Sequence, residues 1–363
     1  MCSKATILKL IFYITPRTHK MKTITFTDTV PVSNTEVDHL VKSKTDQQQK
    51  KVETKKFVEM DTELCMYDGF KLRSSDPNLI DFLLSEGERS RFKFVRKIDV
   101  NSGDISSHKG KYKNLEINIF YAPEGWVVDI SGSIHKFSND GEHNFDDFYW
   151  SSFLSSMEEI IEVFHLKTTE VKVVNLEVGV NCVLPDHIKQ SEEELLDLIL
   201  SLKGRCKGTR RFKETKRETF FMKLGEKYYK IYGKGIQYKR EERIIRFELG
   251  YMRQRQIAKE GSIVSIEDLV DISNHEKLKR CFLAGFETLH IFNPDIYNLS
   301  SEILSLDPHI IFFNEPGFWC RLKKKNRREY LRWRKYKENL EDNNCKYNLQ
   351  KVLLKMVGKK LDS

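Results

Sequence analysis

The chain has 363 residues, of which 39% are hydrophobic with aromatics spread along its length, enough for one large or two modest cores and too much for wholesale disorder. Its 62 Lys and Arg exceed its 53 Asp and Glu, giving a formal charge of +9 that favours a polyanionic partner over a neutral small molecule. The seven cysteines, Cys2, Cys65, Cys182, Cys206, Cys281, Cys320 and Cys345, are odd in number, widely spaced and contain no C-x-x-C pair, which indicates neither a disulfide framework nor a zinc ribbon and fits a reducing cytoplasm.

The apolar run Ile7 to Ile14 is far shorter than the roughly 20 residues of a spanning helix, so no membrane role is expected. The following "TPRTHKMK" does not resemble a signal-peptide cleavage site, and the simpler reading is a dispensable leader with Met21 as an alternative start. Residues 34–58 are polar and lysine-rich, which reads as a solvated linker or loose helix. Order is expected to begin near "MYDGFKL" at Met66.

"LEINIFY" and "WVVDISGSIHKF", joined by "APEGW", read as a hairpin between Leu115 and Phe137. In the second run Trp126, Val128, Ile130, Gly132 and Ile134 share an apolar face, and Asp129, Ser131, Ser133 and His135 a polar one. After the acidic pair Asp146-Asp147, Phe153, Leu154, Met157, Ile160, Ile161 and Phe164 have helical spacing. "VNLEVGVNCVL" is again two-faced, Val174, Leu176, Val178, Val180 and Cys182 against Asn175, Glu177, Gly179 and Asn181. "SEEELLDLILSL" opens with a capping box, Ser191 and Glu194, and predicts a second helix.

Lys203 to Arg217, "KGRCKGTRRFKETKR", holds eight basic residues and one glutamate around two glycines, a flexible loop whose Arg205, Lys207, Arg210 and Arg211 suit phosphate contacts. "KYYKIYGKG" then places Tyr228, Lys230 and Tyr232 on one strand face, and "IIRFELGY" places Arg246 with Glu248 opposite Ile245, Phe247, Leu249 and Tyr251. From Ile257 the pattern turns helical, with starts at Ser265 and Asn274 and the apolar set Leu278, Cys281, Phe282 and Phe286. "RLKKKNRREYLRWRKYK", Arg321 to Lys337, reads as a helix that buries Tyr330, Trp333 and Tyr336 while Lys323, Lys324, Lys325, Arg327 and Arg328 face phosphate. The fold class expected is α+β: a mostly antiparallel sheet with helices on one face, followed by a mainly helical C-terminal domain.

If the strands of "KYYKIYGKG" and "IIRFELGY" pair, Tyr232, Lys230, Arg246 and Glu248 share one surface. A phenol with an ordinary pKa of about 10 needs neighbouring cations to act as a nucleophile, and Lys230, Lys234 and Arg246 offer them. Glu177, Glu248 and His143, beyond the strand ending at Phe137, are candidate ligands for a divalent ion that polarises a phosphate. Each residue alone is ordinary for a strand or loop; their shared face is what suits phosphodiester transesterification. Single-strand RNA binding would call for exposed aromatics in module motifs, which are absent from the sequence.

"DISGSIHKFSNDGEHNFDDF", "NLEVGVN", "KYYKIYGKGIQY" and "IIRFELGYMRQRQI", with "MYDGFKL" before them and "NEPGFW" after, resemble in order and spacing the phage and plasmid rolling-circle replication initiators related to the filamentous-phage gene II protein, especially those of Bacteroidetes elements. The resemblance runs from Met66 to Trp319. It implies a Rep-like nicking domain over residues 63–255, preceded by a leader and linker over 1–62 and followed by a helical, basic DNA-binding domain over 256–363. It implies a metal-dependent endonuclease and strand transferase of a bacterial host's cytoplasm, which cuts one strand of a phage or plasmid origin, single-stranded or in a hairpin, and rejoins it after replication. The family's nucleophile falls on Tyr232 and its companion lysine on Lys234; the metal would be Mg2+ or Mn2+, with Lys230 and Arg246 among the DNA contacts and a host helicase and polymerase as partners. Two departures stand out: Gln237 replaces a glutamate found in many relatives, and the paired-histidine metal motif of broader rolling-circle enzymes is missing, His135 and His143 being too far apart. They leave a non-cleaving DNA-binding regulator of the same fold as the alternative.

Overall fold

The computed structural model describes residues 63–99, 103–202, 209–214, 217–298, 310, 312–313 and 315–362; the leader and linker expected over 1–62 lie outside the described residues. Strand β1 (Tyr67–Ser74) leads through helices α1 (Pro77–Leu84) and α2 (Glu86–Arg91) to β2 (Val95–Ile98), β3 (Ile105–Tyr112), β4 (Leu115–Ala122) and β5 (Gly125–Ser133). Helices α3 (Ile134–Ser138) and α4 (Trp150–Phe164) precede β6 (Lys172–Val183), α5 (Glu192–Asp197) and β7 (Ile199–Leu202). Then come β8 (Thr209–Glu214), β9 (Arg217–Leu224), β10 (Lys227–Gly233), α6 (Lys234–Tyr238) and β11 (Ile244–Tyr251). The chain continues through α7 (Gln254–Gly261), α8 (Ile266–Leu269), α9 (Ile272–Phe286), β12 (Leu289–Ile291), a 3-10 turn (Pro294–Asn298), α10 (Pro316–Lys325), α11 (Arg327–Asn344) and α12 (Leu349–Leu361).

Ten strands form one sheet in the order β2-β3-β4-β5-β1-β6-β11-β10-β9-β8, every pair antiparallel, while β12 and β7 pair separately. The fold is α+β. Helices cover one face because the strands alternate: Leu176, Val178, Val180 and Cys182 of β6 and Ile245, Phe247, Leu249 and Tyr251 of β11 are buried in one core with Phe153, Met157, Ile160 and Phe164 of α4. The same core takes Leu278, Phe282 and Phe286 of α9 and Leu353, Val357 and Leu361 of α12, so helices beyond residue 256 close the same apolar layer as α4. Each such side chain contributes roughly 1.5–3 kcal/mol by leaving water. Phe282→Ala, which opens a cavity in that layer, costs about 3–5 kcal/mol.

Several elements depart from the expected pattern for local reasons. The strand expected to reach Phe137 stops at Ser133, whose Oγ accepts the Lys136 N–H at 3.1 Å and caps α3. The capping box of Ser191 and Glu194 forms, but α5 has six residues because Ile199–Leu202 leaves it to pair with β12. A register shift between β1 and β6 buries Val173 in place of the expected Val174. Asp271, not Asn274, caps α9, its Oδ1 accepting the Ser273 N–H at 2.8 Å. Part of the expected Lys203 to Arg217 loop is strand β8 at the sheet edge. Asn326 divides the basic segment into two helices, its Oδ1 accepting the Arg328 and Glu329 N–H groups at 3.0 and 3.3 Å. Cys65, Cys182, Cys281 and Cys345 are thiols, whereas Cys320 is disulfide-bonded, which the residue spacing does not anticipate. Among the described residues no helix is long and apolar enough to cross a membrane.

Candidate functional site

The open face of the sheet carries a polar grid built by strand register. Asn181, Arg246 and Tyr232 form one row across β6, β11 and β10; Gly179, Glu248 and Lys230 form the next; Glu177, Gly250 and Tyr228 form the third. The expected sharing of a face by Tyr232, Lys230, Arg246 and Glu248 therefore holds. Glycine is required within it: a Cβ on Gly250 would lie 2.0 Å from the Tyr228 ring, which crosses that position to bring its hydroxyl onto Glu177.

Asp68 joins the grid through a bulge. Tyr67 faces Val178 and Phe70 faces Leu176, so Asp68 and Gly69 together oppose Glu177, and the extra residue turns Asp68 onto the open face. Carboxylate oxygens of Asp68, Glu177 and Glu248 lie within 4.8 Å of one another. They border a cavity of about 400 Å³ that Lys230, Tyr232, Lys234 and Gln237 also line.

Arg246, fully buried, organises the centre. Its Nη2 donates to Asp68 Oδ2 at 2.5 Å, its Nη1 to Asn181 Oδ1 at 2.8 Å and its Nε to Glu248 Oε1 at 2.6 Å. Burial would raise the Asp68 carboxyl, yet Arg246 outweighs it, helped by Ser133 and Lys234, and holds the group at about 2. Glu248 is likewise held low by Arg246 and Lys230 against its burial, while burial and the charge of Glu248 push Glu177 up. Lys230 Nζ bridges the two glutamates, 3.2 Å from Glu177 and 3.3 Å from Glu248.

Tyr232 donates its hydroxyl proton to Glu248 Oε1 at 2.7 Å, and Lys234 Nζ stands 3.4 Å from the same hydroxyl. Burial, then the charge of Glu248, keeps the phenol well above its ordinary range. Burial and then Arg246 bring the Lys234 ammonium down to about 7. Lys234 is placed by the turn of β10 into α6 and donates to Asn144 Oδ1 at 2.7 Å, while Asn144 Nδ2 donates to Asp68 at 3.0 Å. Asn144 thus ties the lysine to the carboxylate group, a role that its place in a loop motif did not reveal.

His143 lies apart from this group. It is half-buried, stacks on Phe145 and sits 3.4 Å from Asp146, to which His135 also hydrogen-bonds at 2.8 Å. Both histidines fasten the loop after α3; Asp68 supplies the third carboxylate. Among the described residues the other close group of possible ligands is Glu63, His275 and Glu276, where the Met66 N–H donates to His275 Nε2 at 3.1 Å.

The acidic group fits a divalent cation. Its donors are hard carboxylate oxygens from three adjacent strands, and Glu248 Oε2 is buried without a hydrogen bond, its neighbour being the Lys230 ammonium. Of the expected DNA contacts, Arg205 and Lys207 lie outside the described residues, as do the side chains of Arg210 and Arg211 on β8. Lys324, Lys325, Arg327 and Arg328 are exposed around the Asn326 break, and Lys323 lies over the Tyr330 ring. Tyr330 is buried with Phe313 and Trp319, and Trp333 and Tyr336 pack against them, so the rings serve a small aromatic core.

No family model matches the chain, and no curated protein matches it. Among solved structures it is similar to a rolling circle replication initiator protein from Geobacillus stearothermophilus, at 13% identity and a TM-score of 0.34 over 62% of this chain and 85% of that one. At that score the likeness has no bearing on the chemistry, which is read from the chain's own side chains.

Proposed function

We propose that the chain initiates rolling-circle replication of a phage or plasmid by nicking and rejoining one strand of origin DNA at Tyr232. The observation that carries this reading is the Tyr232 hydroxyl, hydrogen-bonded to Glu248 and beside Lys234 on a cavity bordered by three carboxylates. The ordered motif resemblance and the chain's positive charge support it. On this reading the sheet up to residue 255 does the chemistry and the basic helices after it hold DNA, in the cytoplasm of a bacterial host whose helicase and polymerase extend the freed end.

In the cleavage step Tyr232 Oη bonds to phosphorus as its proton passes to Glu248 Oε1, and the bond from phosphorus to the 3′ oxygen breaks. The departing 3′ oxygen takes a proton from Lys234, leaving the 5′ phosphate on the tyrosine; reversal of these transfers rejoins the strand. Asp68, Glu177 and Glu248 would hold Mg2+ or Mn2+, which polarises the scissile phosphate when bound. Arg246 fixes Glu248 Oε1 toward the phenol, and Lys230 is placed to meet the phosphate charge.

A second reading, a DNA-binding regulator that does not cut, is favoured by the 5% exposure of Tyr232 and by Gln237 on the cavity wall. The deciding experiment incubates the full chain and Mn2+ with labelled single strands tiling the hairpin-forming DNA beside the gene, followed by peptide mass spectrometry. A phosphotyrosyl link on Tyr232 is the expected result, and strand binding with no covalent product favours the regulator.

A further inference from the structure

Beyond the carboxylates the open face runs on through β1, β5, β4 and β3, where a second cavity of about 450 Å³ shares Lys71 and Ser131 with the first. Register accounts for the continuity. Asn175, Lys71, Ser131, Glu116 and Lys111 form one row of directly opposed residues from β6 to β3. Arg73, Asp129, Asn118, Lys109 and Val95 form a neighbouring row from β1 to β2. Opposed residues of antiparallel strands point to one face, and Asn175 shares its face with Glu177 two residues on, so both rows stand on the face of the reaction centre.

The channel is cationic. Lys71, Lys93, Lys109 and Lys111 line it with two carboxylates, Glu116 and Asp129. Asp129 is already neutralised by Arg73, at 2.7 and 2.8 Å, with Lys71 at 3.7 Å. Lys93, Lys109 and Lys111 are exposed. Lys109 and Lys111 stand one two-residue step apart along β3, about 7 Å, a spacing that can follow successive phosphates of one strand.

We propose that this channel holds the single strand flanking the scissile phosphate, its phosphates lying along Lys71, Lys93, Lys109 and Lys111. The inference rests on the preceding assignment of the carboxylate cavity as the reaction centre, because it is continuity with that cavity that makes the channel a path for the same strand. Its lining contains no aromatic side chain, so contact is with the backbone and tolerant of sequence.

The test uses the full-length Tyr232→Phe chain, oligothymidylates of about 6 and about 16 nucleotides, and a salt titration. The longer strand binds more tightly to the Tyr232→Phe chain. Adding Lys93→Gln, Lys109→Gln and Lys111→Gln removes most of that gain and reduces the slope of log affinity against log salt by about 2, three contacts at about 0.7 each. Arginine at the same three positions restores both, which also separates lost charge from lost folding. Unchanged length dependence and slope in the glutamine variant would overturn the proposal, as would a duplex of equal length binding better than the single strand. A length effect that needs these lysines, with no adduct in the unsubstituted chain, sinks the nicking assignment and leaves the channel standing. An adduct together with an indifferent glutamine variant does the reverse.

Discussion

Tyr232 Oη and Arg246 Nε converge on one oxygen, Glu248 Oε1, at 2.7 and 2.6 Å. The shared acceptor orients the carboxylate so that its other oxygen, Oε2, faces Lys230 without a hydrogen bond. One glutamate can therefore take the phenolic proton on one oxygen and present the other to a cation.

The first expectation separates the tyrosines of β10. Tyr232→Phe abolishes the covalent product, whereas Tyr228→Phe, whose hydroxyl is bound to Glu177 at the far row of the grid, still forms it. Losing the hydrogen bond to a charged acceptor also costs about 1.5–3 kcal/mol of stability, read by urea unfolding. An adduct that survives Tyr232→Phe and disappears with Tyr228→Phe reverses the assignment.

The second concerns the cation. Excess chelator stops cleavage and added Mg2+ or Mn2+ restores it; Glu177→Gln impairs cleavage more than DNA binding. Gly69→Ala acts indirectly, since its Cβ would stand 2.6 Å from Glu177 Oε2 and push the carboxylate away. Mn2+ affinity measured by electron paramagnetic resonance should fall about 10-fold or more in Gly69→Ala. Cleavage at full rate in chelator contradicts the whole assignment.

Legibility followed regularity. The rows of Tyr232, Lys230, Arg246 and Glu248 can be read from period-two alternation because β10 and β11 pair without a shift along their length. Asp68 cannot, since counting back by twos from Leu72 and Phe70 puts it among the apolar residues, and only the bulge at Gly69 reverses it. His143 is a suitable ligand type, yet its position depends on the Asn139 and Asp146 contacts of a loop that no periodicity encodes. The break at Asn326 was masked in the same way, because capping by one asparagine competes with an otherwise continuous helical pattern.

Arg246 tests the buried charge network. Arg246→Met leaves Asp68 and Glu248 buried together without their shared counterion, and the loss should be about 3–5 kcal/mol by urea unfolding. The double variant with Asp68→Asn should recover part of it, because one of the uncompensated charges is removed. If the single substitution is neutral, the guanidinium does not organise the centre.

Stability should also depend on pH through His275. Burial, opposed weakly by Glu276 and reinforced by Lys279, lowers its pKa from 6.5 to about 4, and its Nε2 accepts the Met66 N–H in the neutral form. Between those values the unfolded chain binds the proton and the folded chain does not, so stability is lost as pH falls from 6.5 toward 4, by about 3 kcal/mol at most. His275→Gln should flatten that part of the profile. A profile identical in the variant over this window shows that the histidine contributes nothing to it.

The basic turn around Asn326 should bind phosphate without reading sequence. Lys323, Lys324 and Lys325 end α10, where cations suit the negative end of the helix dipole, but Arg327 and Arg328 begin α11, where the dipole is already positive. Two cations at that end oppose folding of α11 slightly, and an anion at the corner would relieve the repulsion. Each contact with a phosphate releases a counterion, so affinity should fall with salt by about 0.7 to 0.9 log units per tenfold increase for each contact. Neutralising Lys323, Lys324, Lys325, Arg327 and Arg328 should weaken binding to origin and random DNA alike and flatten the slope. It should also leave the cleavage position where it was, since the polar grid proposed to cut lies on β6, β10 and β11. An ordinary solvated corner would leave affinity and slope unchanged. Loss of origin preference alone, with non-specific affinity intact, would make these residues readers of bases and not a clamp on phosphate.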